Sequence, residues 1–553
     1  MTKTYAIHPA LGIARIGNFP VDPTNPATFY LGAEAPYETP NEGKPYKVGG
    51  QVKKQGQRFR IYEYEDGVAV REVVLGADVQ GIEWTVHLAN RKSALSTDPH
   101  APGVSRPGVP PIDWKTAETR NASVTGEDRN ALAIDPGPIT VSAAHNAPPG
   151  APVQARAGIA FPDAGNAAAE ANIGTAWAEP DTGRLLVFGG DGVSGGWTGD
   201  AFTAAAPVKQ YANNDLWYDD SADGKITAKI TFADGSCVTL DQPGQFAWVL
   251  CPPPKYTPGM GYYTTLGDVS EDVAGACAGD VSFMAHIYPV LRSVSVLQWV
   301  NLYGAKGHGP GKADFLQGQA MQQMSDANPD PNSDAYKARD KLFRRLRKPG
   351  SDDRSAALMP QVSPEVTDHP KSSTGVPFDI AQVTALQYAR FEKWRDGDFA
   401  ADYDPLHPDP YKPLSDYAVA DQPRALDLGA LDGSSGSPFF PGIESWEIAR
   451  TPGVWAAPLR VSGAMKPGDM TMGNALPWQA DFFDCNGAWW PVQRPTLVIR
   501  DGVGSEWTPP AWDDMGDACY NEMAENWFRL GFVTSGDGGA SYAETERDPG
   551  LGA

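Results

Sequence analysis

Along the N-terminal half, apolar and polar positions alternate in short runs, the signature of half-buried strands. Arg58-Phe-Arg-Ile-Tyr-Glu-Tyr64 and Val68-Ala-Val-Arg-Glu-Val-Val-Leu75 have this form, bounded by the turn residues Glu65-Asp-Gly67. Ile82-Glu-Trp-Thr-Val-His-Leu88 reads as a further strand, and residues 96–135 as a polar loop region. Strands resume over 138–250: Arg184-Leu-Leu-Val-Phe-Gly189 is a buried pattern and Lys225-Ile-Thr-Ala-Lys-Ile-Thr-Phe232 a half-buried one. Phe246-Ala-Trp-Val-Leu250 is short and apolar.

Beyond residue 260 the period changes. Residues 280–302 and 315–348 read as helices, the second closing on the basic run Lys341-Leu-Phe-Arg-Arg-Leu-Arg-Lys348 before Pro349-Gly350. Cations there suit a helix C-terminus, so a capped surface helix explains the run without a binding patch. Residues 349–376 read as a linker, 378–396 as a helix, and 397–440 as irregular. The expectation is an α+β protein, β-rich in its first half and helical and looped in its second. Its regions are 1–260, 261–400 and 401–553, folded as one compact multi-lobed unit.

Composition narrows the class. With 553 residues, 41% of them hydrophobic, the chain can bury a large core, and 16 Trp and 20 Tyr argue against disorder. Gly and Pro, 59 and 50, predict many turns. A net charge of −23 leaves no basic stripe for nucleic acid. No apolar run is long enough to span a membrane, and Met1-Thr-Lys-Thr-Tyr-Ala-Ile-His-Pro9 lacks a signal-peptide core, so a cytoplasmic location is expected unless export takes another route. The five Cys contain no CxxC and the eight His no metal spacing, so no metal site is expected.

Several local patterns resemble chemistry and have simpler explanations. Gly190-Asp-Gly192-Val-Ser-Gly195 matches a dinucleotide fingerprint, but Gly196-Trp-Thr-Gly opens no helix, so it reads as a glycine turn. Asp219-Asp-Ser-Ala-Asp223-Gly224 resembles half a calcium loop, but Ile230 stands where the bidentate acid belongs; a hairpin turn between Leu216-Trp-Tyr and Lys225-Ile-Thr is expected instead. His308 reads as an exposed loop residue, and His8 and His87 as hydrogen-bonded core histidines.

One constellation survives. In Pro477-Trp-Gln-Ala-Asp481-Phe-Phe-Asp-Cys485, followed by Trp489-Trp490, a carboxylate precedes a lone thiol by four residues. On a helical turn that spacing puts both on one face. Trp478, Phe482, Phe483, Trp489 and Trp490 supply an apolar wall, which raises a carboxyl pKa toward neutrality and suits Asp481 to proton transfer. Downstream, Met515, Cys519, Met523 and Trp527 recur every four residues, Leu530 closes the stripe and Gly531 reads as a C-cap. The plain reading is a buried thiol and a core tryptophan; the sharper one joins Cys485 to Trp527.

The chain resembles, over nearly its whole length, the quinoprotein amino-acid oxidases that carry cysteine tryptophylquinone, among them lysine ε-oxidase and a glycine oxidase. The resemblance is carried by ordered blocks: His8-Pro-Ala-Leu-Gly-Ile-Ala-Arg-Ile-Gly-Asn18, Glu83-Trp-Thr-Val-His-Leu-Ala-Asn-Arg-Lys92, Asn213-Asn-Asp-Leu-Trp-Tyr-Asp-Asp220, Pro438-Phe-Phe-Pro-Gly-Ile-Glu444, Pro467-Gly-Asp-Met470 and Pro477–Cys485. It implies a quinone built from Cys485 and a later Trp, with Asp481 needed to make it and acting as base. Trp527, in Trp527-Phe-Arg-Leu-Gly-Phe532, resembles the family's quinone residue; Trp489, Trp490 and Trp512 are the other candidates. It further implies oxidative deamination of an amino acid or primary amine, oxygen as acceptor, release of ammonia and hydrogen peroxide, a flavin-dependent maturation protein, and a homo-oligomer. The competing readings are an amine dehydrogenase or peptide-modifying enzyme on the same fold, and a quinone-less binding protein.

Overall fold

The computed structural model describes residues 3–98, 118–310, 312, 314–351, 353, 355, 357–360, 381–436, 440–484, 490–500, 503–513, 515, 518–536 and 538–551. It is 24% helix and 27% strand, with strands concentrated in the first half and helices in the second, the α+β layout expected.

The strand half runs β1 (Lys3–His8), β2 (Leu11–Ile13), β3 (Phe29–Leu31), β4 (Lys47–Val48), β5 (Gln51–Val52), β6 (Lys54–Glu65), β7 (Val68–Val73), β8 (Val79–Ala89) and β9 (Ile139–Ala144). It continues through β10 (Val153–Phe161), β11 (Ala167–Ala178), β12 (Leu185–Phe188), β13 (Ser194–Trp197), β14 (Phe202–Thr203), β15 (Trp217–Asp219), β16 (Ala222–Phe232), β17 (Cys237–Leu240) and β18 (Ala247–Cys251). One sheet has the order β1-β6-β12-β11-β10, with β3 and β7 also on β6; a second has β2-β18-β16-β8-β9, with β17 on β16. The long β6 is the spine of the first: its N-terminal part pairs with β3 and β12, its C-terminal part with β1 and β7. β6 and β7 form a hairpin that turns at Asp66 and Gly67, both left-handed, within the turn residues the sequence marks.

Period-two burial packs the sheets face to face. On β8, Ile82, Trp84, Val86 and Leu88 are buried while Glu83, Thr85 and His87 face outward. They share one core with Phe59 and Ile61 of β6, Ile173 of β11, Val187 of β12 and Ile226 and Ile230 of β16. The outer face of the second sheet carries Leu11, Ile13, Trp248 and Leu250 into another core with Leu266, Leu431, Trp446, Met470 and Met472.

The second half contributes α1 (Leu266–Val273), α2 (Tyr288–Val296), α3 (Leu302–His308), α4 (Gly318–Ser325), α5 (Asp334–Phe343), α6 (Ala385–Arg395), α7 (Gln422–Asp432), α8 (Trp478–Asp484), α9 (Pro510–Asp513) and α10 (Cys519–Asn526). The two long predicted helices are therefore each broken. Over 280–302, a π turn at Phe283–Ile287 leads into α2 and a tight turn follows it; over 315–348, α4 and α5 are separated by Pro329 and Pro331, which cannot continue a helix. The stretch 397–440 is not wholly irregular: α7 begins with Pro423 near its first position, where proline's fixed φ favours a helix. His308 ends α3, half-buried against Phe315 at 5.2 Å between ring centroids, rather than lying in an exposed loop.

Asp219–Gly224 is not a hairpin turn either. β15 pairs with β13 in a three-stranded sheet, while β16 belongs to the second large sheet, so this run carries the chain between sheets. Its acids are buried and turned to structural use. Asp219 Oδ2 lies 2.7 Å from Lys92 Nζ, both side chains within 1% of full burial, and Asn90 and Ser221 donate to Oδ1. Asp223 accepts from Trp248 Nε1, Gly468 N, and Thr471 N and Oγ1. Burial, opposed by those donors and reinforced by Asp469, pushes the Asp223 carboxyl up to about 7.

Removing one partner of a fully buried ion pair leaves an uncompensated charge. Lys92→Met is expected to lower stability by about 3–5 kcal/mol, read as a shift in urea midpoint. Lys92→Met/Asp219→Asn should recover part of that loss because no lone charge remains.

Candidate functional site

Two short helices meet at the site. α8 starts at Trp478, where the backbone N–H donates to Asp219 Oδ2 at 3.1 Å, so the Lys92–Asp219 pair seats its first residue. The segment before it is fastened the same way: Lys92 Nζ donates to the Ala475 carbonyl, Asn214 Nδ2 to that of Leu476, and the buried Arg120 to those of Met472 and Asn474. α8 places Asp481 inside, 1% exposed, beside Phe482 at full burial. The helix ends at Asp484. Cys485 and Trp489 lie outside the described residues.

α10 packs against α8, and Tyr520 meets Phe483 edge-on at 5.8 Å. Its buried stripe is Cys519, Met523, Trp527 and Leu530, Trp527 opening the tighter turn that continues the helix. Two expectations need correction. Met515 is 44% exposed and lies outside the stripe. Gly531 is no left-handed cap: the turn closes at Leu530 in extended conformation, and Gly531 is bare because a Cβ would collide with the Glu544 carboxylate.

Trp527, 2% exposed, sits in a close-fitting seat. Its indole meets Trp478 edge-to-face at 5.3 Å and 68°, and Trp478 meets Phe482 at 5.2 Å. Its Nε1–H donates to the Gly192 carbonyl at 3.3 Å, and its own carbonyl accepts from Tyr256 Oη at 2.6 Å. Gly192 has φ +80°, and a Cβ there would overlap Cζ2 of the indole. The glycine run is thus a turn, as the sequence implied, with the added task of bedding the tryptophan. Below it, Asp220 Oδ2 accepts from Gly192 N at 2.6 Å and Val193 N at 3.0 Å. Burial raises the Asp220 carboxyl to about 7, opposed by its Val193 bond and reinforced by Asp219 and Asp191.

The other tryptophans sit elsewhere in the same core. Trp490 packs at 6.2 Å from Tyr262, and Trp512 lies on α9. His8 is buried between Asp427, Tyr64 and Arg460; His87 pairs with Asp135 at the half-exposed outer face of β8. Among the described residues no cluster of His, Cys, Asp and Glu could hold a metal ion. No helix among them is long and apolar enough to cross a membrane.

The surroundings of Trp527 fit a group formed from its ring. A bare glycine lies against the benzo edge, a carboxylate stands on the neighbouring helix, and that helix ends at Asp484, one residue before Cys485 in sequence. Trp478 Nε1 and both ends of the Gln479 amide are buried with no hydrogen-bond partner among the described residues, so α8 offers polar atoms that a ring oxygen or a bound amine could meet.

Comparison with known proteins gives the family. A model described as L-lysine epsilon oxidase N-terminal matches residues 8–251, and one described as L-lysine epsilon oxidase C-terminal domain matches residues 365–507. The chain belongs to the L-lysine epsilon oxidase family. It is therefore an amino-acid oxidase, as the sequence resemblance implied. L-lysine 6-oxidase of Marinomonas mediterranea is 27% identical over 699 aligned residues, covering 98% of this chain and 89% of that protein. A crystal structure of L-Lys epsilon-oxidase from the same organism has a TM-score of 0.68 at 21% identity, covering 99% of this chain and 95% of that one. One described as its Schiff base intermediate with L-Lys gives the same values. The fold is thus shared end to end. The family matches span Asp481 and Cys485 and stop short of Trp527.

Sequence reasoning missed Lys92, Asp219, Asp220, Gly192 and Tyr256 as supports of this site. Their signals were present in the Glu83–Lys92 and Asn213–Asp220 blocks and the glycine run, but nothing local says that these segments meet α8 and α10. Gly192→Ala should lower stability by roughly 2–4 kcal/mol, from strain plus overlap with Trp527. Gly67→Ala, equally left-handed with open space around it, should cost only about 1 kcal/mol; chemical denaturation of both variants separates the two effects.

Proposed function

We propose that this oxidase deaminates an amino acid or primary amine through cysteine tryptophylquinone formed from Cys485 and Trp527. The observation that carries the reading is the packing of Trp527 against Trp478, at the head of the seven-residue helix that bears Asp481 and leads into Cys485. Cys485 and Trp527 are 42 residues apart in sequence (527 − 485), and the packing of α8, which ends at Asp484, on α10 supports the pairing.

When formed, the quinone supplies an electrophilic carbonyl and a two-electron sink, chemistry beyond ordinary side chains. The protein supplies the rest. Asp481, buried among Trp478 and Phe482, takes the proton from the amine-bearing carbon and serves during cofactor formation. Trp478, Phe482 and Phe483 exclude water from the reacting face. Gly192 and Tyr256 hold the Trp527 ring and backbone in register. Overall, the amine gives up two electrons and two protons, one from carbon and one from nitrogen; these reduce oxygen to hydrogen peroxide, and water supplies the carbonyl oxygen as ammonia leaves. A flavin-dependent protein installs the oxygens, the working form is a homo-oligomer, and the enzyme matures in the cytoplasm.

The deciding measurement is an intact mass and peptide map on protein made together with its maturation partner. The expected result is a gain of two oxygens less four hydrogens on a peptide joining Cys485 to Trp527, and peroxide release with an amine. A crosslink to Trp489, Trp490 or Trp512 would overturn the Trp527 assignment; an unmodified mass would overturn the quinone. Asp481→Asn should abolish the modification and reduce peroxide release by at least about 10²-fold, the scale of a general base.

A further inference from the structure

Asp219 ends β15 and Asp220 follows it directly, and the two acids hold different walls of the Trp527 seat. Asp219 reaches the Trp478 wall through the first N–H of α8, and Asp220 reaches the Gly192 wall through two loop N–H groups. Asp219 is matched by the Lys92 ammonium at 2.7 Å; Asp220 has no salt-bridge partner among the described residues. Its second oxygen, Oδ1, is buried without a hydrogen-bond partner among them.

We propose that Asp220 is a positioning residue that couples the seat of Trp527 to pH, switching the hold on the Gly192 loop as its carboxyl gains or loses a proton. The inference rests on the reading that Trp527 carries the quinone only as far as the consequence for maturation is concerned. The chain of contacts is short: Asp220 Oδ2 to Gly192 N, Gly192 carbonyl to Trp527 Nε1. Since Oδ2 is engaged by two donors, the proton of the neutral acid belongs on Oδ1. The ionised form accepts those N–H bonds more strongly than the neutral one.

The charged and titratable groups facing Asp220 set the midpoint. Asp219 beside it and Asp191 in the glycine loop disfavour ionisation; Lys54 of β6, which bonds Asp191, favours it; Lys92, Cys251 of β18 and Tyr218 of β15 feel its charge in turn. With burial dominant, the carboxyl titrates near 7, where most carboxylates are long ionised. Because the folded value is raised, the stability this group contributes is greatest in acid and declines as pH rises toward that midpoint. The loop's hold on Trp527 tightens as pH rises through about 7, where the carboxyl of the folded protein ionises.

The test follows the Trp527 indole N–H in full-length protein labelled with nitrogen-15 tryptophan and made without maturation, its cross-peak identified by its loss in Trp527→Phe. In wild type the peak should move with pH, with a midpoint near 7. In Asp220→Asn, whose amide oxygen still accepts both N–H bonds, it should stay near the wild-type position and cease to titrate. A wild-type peak that does not move, or the same titration persisting in Asp220→Asn, overturns the proposal. In co-matured protein, Asp220→Ala should lower the yield of crosslinked Trp527 peptide at least about fivefold, and Asp220→Asn should restore it, positioning being worth that much or more. An unchanged yield in Asp220→Ala overturns the maturation consequence. If wild type carries its crosslink on another tryptophan, the function assignment fails while the indole titration still decides the role of Asp220.

Discussion

A single buried ion pair, Lys92 with Asp219, determines where the site can be. A carboxylate and an ammonium stripped of water are tolerated only when every lone pair and proton finds a partner. Here Asp219 accepts from Lys92, Asn90, Ser221 and the first N–H of α8, while Lys92 also donates to the Ala475 carbonyl. Those partners come from the segment that follows β8, from the link between β15 and β16, and from a segment more than 250 residues downstream. None can shift without exposing a charge to an apolar interior. The approach to α8 is therefore pinned by electrostatics, and the helix inherits its position.

The same logic recurs around it. Arg15 meets Glu444 at 2.8 Å in full burial, and Gln493 bridges both, tying the N-terminal segment to the stretches on either side of α8. Asp223 gathers Gly468 and Thr471. Apolar packing between the halves is non-directional and would tolerate sliding; hydrogen-bonded buried charges do not. A soft hydrophobic core surrounds Trp527, and a frame of satisfied charges fixes the register in which the core is assembled. Adjacent carboxylates show how finely this divides: Asp219 is ion-paired with Lys92, while Asp220, one residue on and without a salt-bridge partner among the described residues, is raised by burial to about 7.

Strand positions were legible because half-buried strands write their period into the sequence: β6, β7, β8, β12, β16 and β18 all coincide with alternating or apolar runs. Helix extents were less so, since prolines at 329 and 331 break a pattern that reads as continuous, and one at 423 starts a helix in a stretch that reads as irregular. The carboxylate at 481 and the tryptophan at 527 announced themselves through local spacing. Their supports did not. A glycine turn and a calcium-like acidic run look self-contained in sequence; they are in fact the floor and the buttress of one indole, and only tertiary contact between residues 192, 220 and 527 joins them. The acidic run was misread because its charges suggest solvent, whereas each is buried against a donor.

That misreading has a physical lesson for the site. Chemistry that modifies a tryptophan needs the ring held still, yet an indole offers one hydrogen-bond donor and otherwise only surface. Rigidity must come from shape: a glycine with no Cβ against one edge, an aromatic ring against another, and a backbone carbonyl for the lone N–H. The glycine and the aromatic residue are themselves held by two adjacent acids, Asp220 and Asp219. A conserved volume of apolar side chains would fill the space equally well but would leave the ring free to rotate among near-equal packings. The buried acids remove that freedom. Their cost in desolvation is met by the backbone N–H groups they capture, which had to be satisfied by something in any case.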